Sequence, residues 1–135
     1  MALVASQSGD LLLLKYLLSF QTNVNANQEM HLYNNNHTPT SNDVLTNFTE
    51  SIASNYTGVM LVGAAWTCTT AGSAGATASY AQQAFNFSAA DTIYGYFVTS
   101  PNKGTLLWAE LFTGGPFTLP ASGGSIQVTP KLSLT

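Results

Sequence analysis

Two apolar segments, Ile93 to Thr99 and Thr105 to Phe112, flank the pentapeptide Ser100-Pro-Asn-Lys-Gly104. No other feature constrains the fold as strongly. Proline presets a turn angle and Asn102 and Gly104 accept positive φ, so the pentapeptide predicts a turn and its flanks predict an antiparallel hairpin. Pairing residue 99 with 105 sets Tyr96 opposite Trp108 and Tyr94 opposite Glu110 on one side, with Phe97 opposite Leu107 on the other. Both sides are then apolar, as in a central sheet covered on both faces. The alternative makes one aromatic face an interface, with Tyr94, Tyr96 and Trp108 forming a subunit contact or a sugar-stacking platform.

The rest of the chain after residue 27 repeats this grammar. Met30 and Leu32 alternate with Glu29, His31 and Tyr33; Val59 to Val62 and Ala64 to Thr69 follow; Phe85 and Phe87 alternate with Ala84 and Asn86. Ile126, Val128, Leu132 and Leu134 share a face opposite Gln127, Thr129, Lys131 and Ser133, with Pro130 marking an edge or bulge. Breakers at Asn34 to Asp43, Ala71 to Ser79, Gly114-Gly115-Pro116 and Pro120 to Gly124 predict loops. About eight strands with turn signals every 8 to 12 residues predict an antiparallel β-sandwich or jelly roll. With 135 residues, one domain over 1–135 and one core are expected.

One helix is expected, over residues 9 to 20. Leucine loses little rotamer freedom in a helix, and Ser8 supplies an N-cap. Ser8, Lys15 and Ser19 fall on one narrow stripe, which leaves Leu11, Leu14, Leu17 and Leu18 on a broad apolar surface. Such a surface is covered either by its own domain or by another subunit, so these leucines are interface candidates. The apolar run is about half the length of a ~20-residue membrane span, and no positive charge precedes it. A soluble protein with no export signal and no membrane partner is expected.

Charge then limits the chemistry. Three lysines, no arginine and six acids make up 7% of the chain, while 30 serines and threonines and 17 asparagines and glutamines supply its polarity. Without guanidinium forks or a basic stripe, phosphate and nucleic-acid recognition is excluded as an expectation. The lone Cys68 sits in an apolar/polar alternation and reads as a small buried hydrophobe. His31 and His37 have no second ligand at metal spacing, and the six carboxylates are scattered, so neither a metal nor a cofactor is expected. Glu29 and His31 share one strand face, which reads as solvated, and His37 reads as a loop-surface residue. Gly72-Ser73-Ala74-Gly75 has no helix behind it and is no nucleophile elbow. The expectation is a protein that is not an enzyme.

The order of segments carries a resemblance. His31-Leu-Tyr-Asn-Asn-Asn-His-Thr-Pro39, Tyr56-Thr-Gly-Val-Met-Leu61, Trp66-Thr67, Ala84-Phe-Asn-Phe87, Ile93-Tyr-Gly-Tyr-Phe-Val98, Leu107-Trp-Ala-Glu-Leu-Phe112 and Ile126-Gln-Val-Thr-Pro-Lys-Leu132 together resemble small structural proteins of tailed bacteriophages and cyanophages. The likeness spans about residues 7 to 134 and is greatest to the capsid cement, or head decoration, proteins. It implies a β-rich homotrimer, made in the host cytoplasm and seated on the major capsid protein at the virion surface. Fibre and baseplate modules share this composition, which keeps a carbohydrate-binding tail module as the alternative. The resemblance assigns no binding residue.

Overall fold

The computed structural model describes residues 4–5, 27–70 and 76–134. The helix expected over 9–20, with Leu11, Leu14, Leu17 and Leu18, lies outside the described residues. Those that are described form a mainly β chain of twelve strands: β1 (Val4–Ala5), β2 (Gln28–Tyr33), β3 (Val59–Leu61), β4 (Thr67–Thr70), β5 (Ala76–Ser79), β6 (Gln83–Phe87), β7 (Asp91–Ile93), β8 (Gly95–Thr99), β9 (Leu106–Leu111), β10 (Phe117–Leu119), β11 (Gly124–Val128) and β12 (Lys131–Leu134). Every strand pair is antiparallel. The largest sheet has the order β1-β9-β8-β2-β3, and three smaller ones are β10-β7, β11-β6 and β12-β5-β4.

The β8–β9 hairpin forms where the sequence predicts it, with a different register. Thr99 pairs with Leu106, and a bulge between Val98 and Thr99 then sets Val98 against Trp108, Phe97 against Ala109 and Tyr96 against Glu110. Tyr96 therefore meets a carboxylate where the simple hairpin placed Trp108. Its phenol donates to Glu110 Oε2 at 2.7 Å. The turn causes the shift: Ser100 N–H donates to Thr105 C=O at 2.9 Å and Thr105 N–H to Ser100 Oγ at 2.8 Å, closing the loop one residue early. Asn102 and Lys103, not Gly104, take the positive φ values, 61° and 50°. The extra residue of the bulge, Leu107, interrupts the alternation, so Leu107 and Trp108 join one core cluster while Leu106 and Ala109 join the other.

One expected strand is two. Ile93 pairs with Phe117 in the β10-β7 sheet, whereas Gly95 pairs with Tyr33 and Leu111 in the large one, so the chain changes sheets at Tyr94. Gly95 permits the change, because a β-carbon there would stand 2.0 Å from Glu110 O and 2.6 Å from Tyr33 Oη. A second correction concerns Ala71 to Ser79, read as a loop: Ala76–Ser79 is the central strand of β12-β5-β4. Small uncharged residues resemble a loop in composition, but a ladder on each edge fixes them in extended form.

Both faces of the large sheet are buried. On one, Met30, Leu32, Leu61, Tyr96, Val98, Leu107 and Trp108 pack against Phe85, Phe87, Ile93, Leu119, Ile126, Val128 and Leu132 from the smaller sheets. On the other, Tyr33, Phe97, Leu106 and Ala109 pack with Phe48, which follows the short 3-10 turn Leu45–Asn47. The alternations at 85–87 and 126–132 fall as read, with Phe85, Phe87, Ile126, Val128 and Leu132 inward.

Candidate functional site

The sheet edge assembles what the sequence left scattered. The outer edge of β2 is lined by β3 opposite residues 28–30, and beyond the end of β3 by residues 49–51. Asn34 N–H donates to Thr49 C=O at 2.9 Å and Ser51 N–H to Leu32 C=O at 3.0 Å. This second pairing brings Glu50 alongside β2, to the side chain of His31. The β8–β9 turn reaches over the same point and adds Lys103.

The geometry is that of a closed ion cluster. His31 Nδ1 lies 2.7 Å from Glu50 Oε1, and its Nε2 lies 3.6 Å from Glu29 Oε2. Since a carboxylate only accepts, the proton at Nδ1 points to Glu50. Lys103 Nζ pairs with the other oxygen of Glu50. Tyr56 Oη donates to Glu50 Oε1 at 3.3 Å and accepts from Leu32 N–H at 2.8 Å. Glu29 in turn accepts from the backbone N–H groups of Asn102 at 3.0 Å and Lys103 at 3.2 Å. The imidazole is only 4% exposed and stacks on Phe97 with ring centroids 5.2 Å apart. Gly58 leaves it room, since a β-carbon there would come within 2.4 Å of Nδ1.

The electrostatics follow from these partners. Burial alone raises the Glu50 carboxyl, but hydrogen bonds and charge from His31 and Lys103 outweigh it and draw it down to about 2. Burial raises the Tyr56 phenol above its ordinary value, with the Glu50 charge adding to it, so the hydroxyl keeps its proton. The reading of Glu29 and His31 as a solvated face is corrected: His31 is buried because residues 49–51 and the turn cover it.

His37 has the same design on a smaller scale. Its Nε2 lies 2.7 Å from Asp43 Oδ2, and Asp43 also accepts from Thr40 N–H at 2.8 Å and Thr40 Oγ1 at 2.9 Å. Burial opposes ionisation of Asp43, but these bonds hold its carboxyl below the ordinary value. His37 is thus part of a structured loop. Its ring also stands edge-on to Phe48.

An open cleft of about 530 Å³ lies over the first cluster. Its polar lining is Glu29, His31, Glu50, Tyr56 and Lys103, and its apolar rim is Ile52, Val59 and Met60. Ser51 also borders it, but Ser51 Oγ donates to Asp91 Oδ2 at 2.5 Å rather than to His31, so serine, histidine and acid form no relay. Ile52 is 93% exposed and Met60 55%. Val62, two residues along from Met60, is 43% exposed. The cleft therefore joins an internally paired set of charges to an unpaired apolar ridge.

The aromatic candidates fall elsewhere. Tyr96 and Trp108 are each 2% exposed within the first core cluster and present no ring face to a ligand, while Tyr94 is half-buried against the second. Sequence reasoning paired Glu29 with His31 but missed Glu50, Tyr56 and Lys103, which lie 19, 25 and 72 positions from His31. No spacing rule joins them. Among the described residues no group of three or more His, Cys, Asp or Glu side chains is placed to hold a metal ion, and no helix is long and apolar enough to cross a membrane. No family model matches the chain, and neither does any curated protein or solved structure.

Proposed function

We propose that this chain is a non-enzymatic structural protein of a virion, a capsid cement or decoration protein that seats as a homotrimer on the outer surface of the major capsid protein shell and stabilises it. One observation carries the reading: the ridge of Ile52, Met60 and Val62 beside β3, which ends the order β1-β9-β8-β2-β3. Leu32 turns both backbone groups toward the 51–56 segment, so Met30 and Gln28 face β3 by the two-residue alternation. Val59 and Leu61 then bond inward, and Met60 turns its backbone outward. An edge of this kind accepts an extended segment of another protein, and the ridge supplies apolar area worth roughly 25 cal/mol per Å² on burial.

The charge pairing supports the same reading. Glu50 pairs with His31 Nδ1 and with Lys103, and Asp43 with His37, so in this reading adhesion rests on apolar burial and neutral hydrogen bonds. In this reading the large sheet and the β11-β6 and β10-β7 pairs facing it form a jelly-roll-like β-sandwich. Of the stacking residues named for the carbohydrate-binding alternative, Tyr96 and Trp108 lie inside the core and only the half-buried Tyr94 is left near the surface, which favours the capsid reading.

Immunogold electron microscopy of virions, with antibody raised against this chain, tests the placement. Label over the head is the expected result, and label confined to tail or fibres overturns it. Particles washed in about 1 M sodium chloride should keep the protein, because salt screens only charge pairs, whereas urea should strip it. Selective loss in salt would overturn the apolar mechanism.

A further inference from the structure

The two described methionines stand in opposite surroundings. Met30 is 0% exposed inside the first core cluster, whereas Met60 is 55% exposed, lines the open cleft and belongs to the ridge with Ile52 and Val62. Its sulfur has a polar neighbour. Asn27, just ahead of β2, donates from Nδ2 to Met60 Sδ at 3.5 Å, and its Oδ1 accepts the Gly63 N–H at 3.3 Å. The second bond fixes which end of the amide faces the sulfur, because a backbone N–H needs an oxygen. We propose that Met60 is a modification site for peroxide oxidants, which convert it to a sulfoxide that Asn27 holds and so take one of three apolar side chains out of the ridge. Neither the reaction nor its outcome depends on the capsid reading.

The reaction needs only access to the sulfur. A sulfur lone pair attacks one oxygen of hydrogen peroxide, the O–O bond breaks, and a proton passes from the transferred oxygen to the departing one, which leaves as water. Sulfur loses two electrons and the peroxide gains them, so no further reactant enters. The cleft admits the oxidant to Met60, while the packed core keeps it from Met30.

The surroundings then favour the product. A thioether is a weak acceptor and a sulfoxide oxygen a strong one, so the Asn27 amide, already placed by Gly63, gains a better partner on oxidation. The side chain also changes character, from apolar to polar, beside Ile52 and Val62. The ridge loses apolar area without any change in the core.

Peptide mass mapping of the full-length protein in dilute hydrogen peroxide reads the site. Met60 should gain one oxygen at least about tenfold faster than Met30, and equal rates, or Met30 first, overturn the assignment. Retention on a phenyl hydrophobic-interaction column should fall in step with Met60 oxidation and return after treatment with the two epimer-specific methionine sulfoxide reductases. Met60→Leu keeps the position apolar and removes the sulfur, so its retention should not respond to peroxide. An undiminished response in Met60→Leu would come from Met1, the third methionine of the chain, and would overturn the effect on the ridge. In amide NMR spectra the Asn27 side-chain protons should shift on oxidation while those of Asn86, exposed on β6, stay constant. An unmoved Asn27 signal in a protein oxidised at Met60 overturns its part as the donor.

Discussion

Replacing Glu50 by glutamine removes one charge from the cluster and keeps its shape. The amide oxygen can still accept from His31 Nδ1, so the variant isolates the ionic part of the contact. Against burial, His31 and Lys103 together lower the Glu50 carboxyl from 4.5 to about 2, and at 1.36 kcal/mol per unit that corresponds to about 3 kcal/mol. Lys103 is half-exposed, so solvent screening trims its share and leaves about 2 kcal/mol. Because the folded value lies below the unfolded one, this stability is fully present above about pH 4.5 and is lost as pH falls toward about 2. Urea melts at pH 7 should show Glu50→Gln less stable by about 2 kcal/mol. A series of melts down to about pH 2.5 should show a shallower acid slope in the variant, with the remainder owed partly to Asp43, whose carboxyl is also held low. A loss below about 0.5 kcal/mol at pH 7, or an acid slope equal to the wild type, refutes the reasoning.

Gly58→Ala should cost about 1–3 kcal/mol in thermal melts, because its β-carbon would meet a histidine ring that Phe97 pins in place; a neutral result would mean the ring is free to move. Phe85→Ala should cost about 3–5 kcal/mol in denaturant titration, since the ring is fully buried and stacked with Tyr56 at 6.0 Å. Ile52→Asp should leave the melting temperature within a degree or two, about 0.5 kcal/mol or less, yet abolish co-sedimentation with capsid shells; retained binding would remove the ridge from the proposed interface.

Local elements are legible from the residues of each segment. Alternation at 85–87 and 126–132 and the Ser100-Pro-Asn-Lys-Gly104 turn act over a few residues, so strand identity, inward faces and the hairpin could be read directly. Side-chain patterning at 28–33 is legible only in half: alternation places Met30 and Leu32 in a core, but by itself it leaves His31 facing solvent. What covers His31 is Glu50 and Lys103, and only the tertiary structure brings them to it. The same limit explains the register error. Ser100 and Thr105 close the turn through their own hydrogen bonds, and the resulting bulge moved Tyr96 from Trp108 to Glu110. It also explains Ala76–Ser79, whose small side chains encode no strand and whose conformation is set by β4 and β12 on either side. Periodicity records how one segment meets a core. Which strand ends at an edge, which carboxylate reaches which imidazole and which apolar side chain stays uncovered depend on contacts between segments far apart in the chain, where sequence spacing carries no distance information.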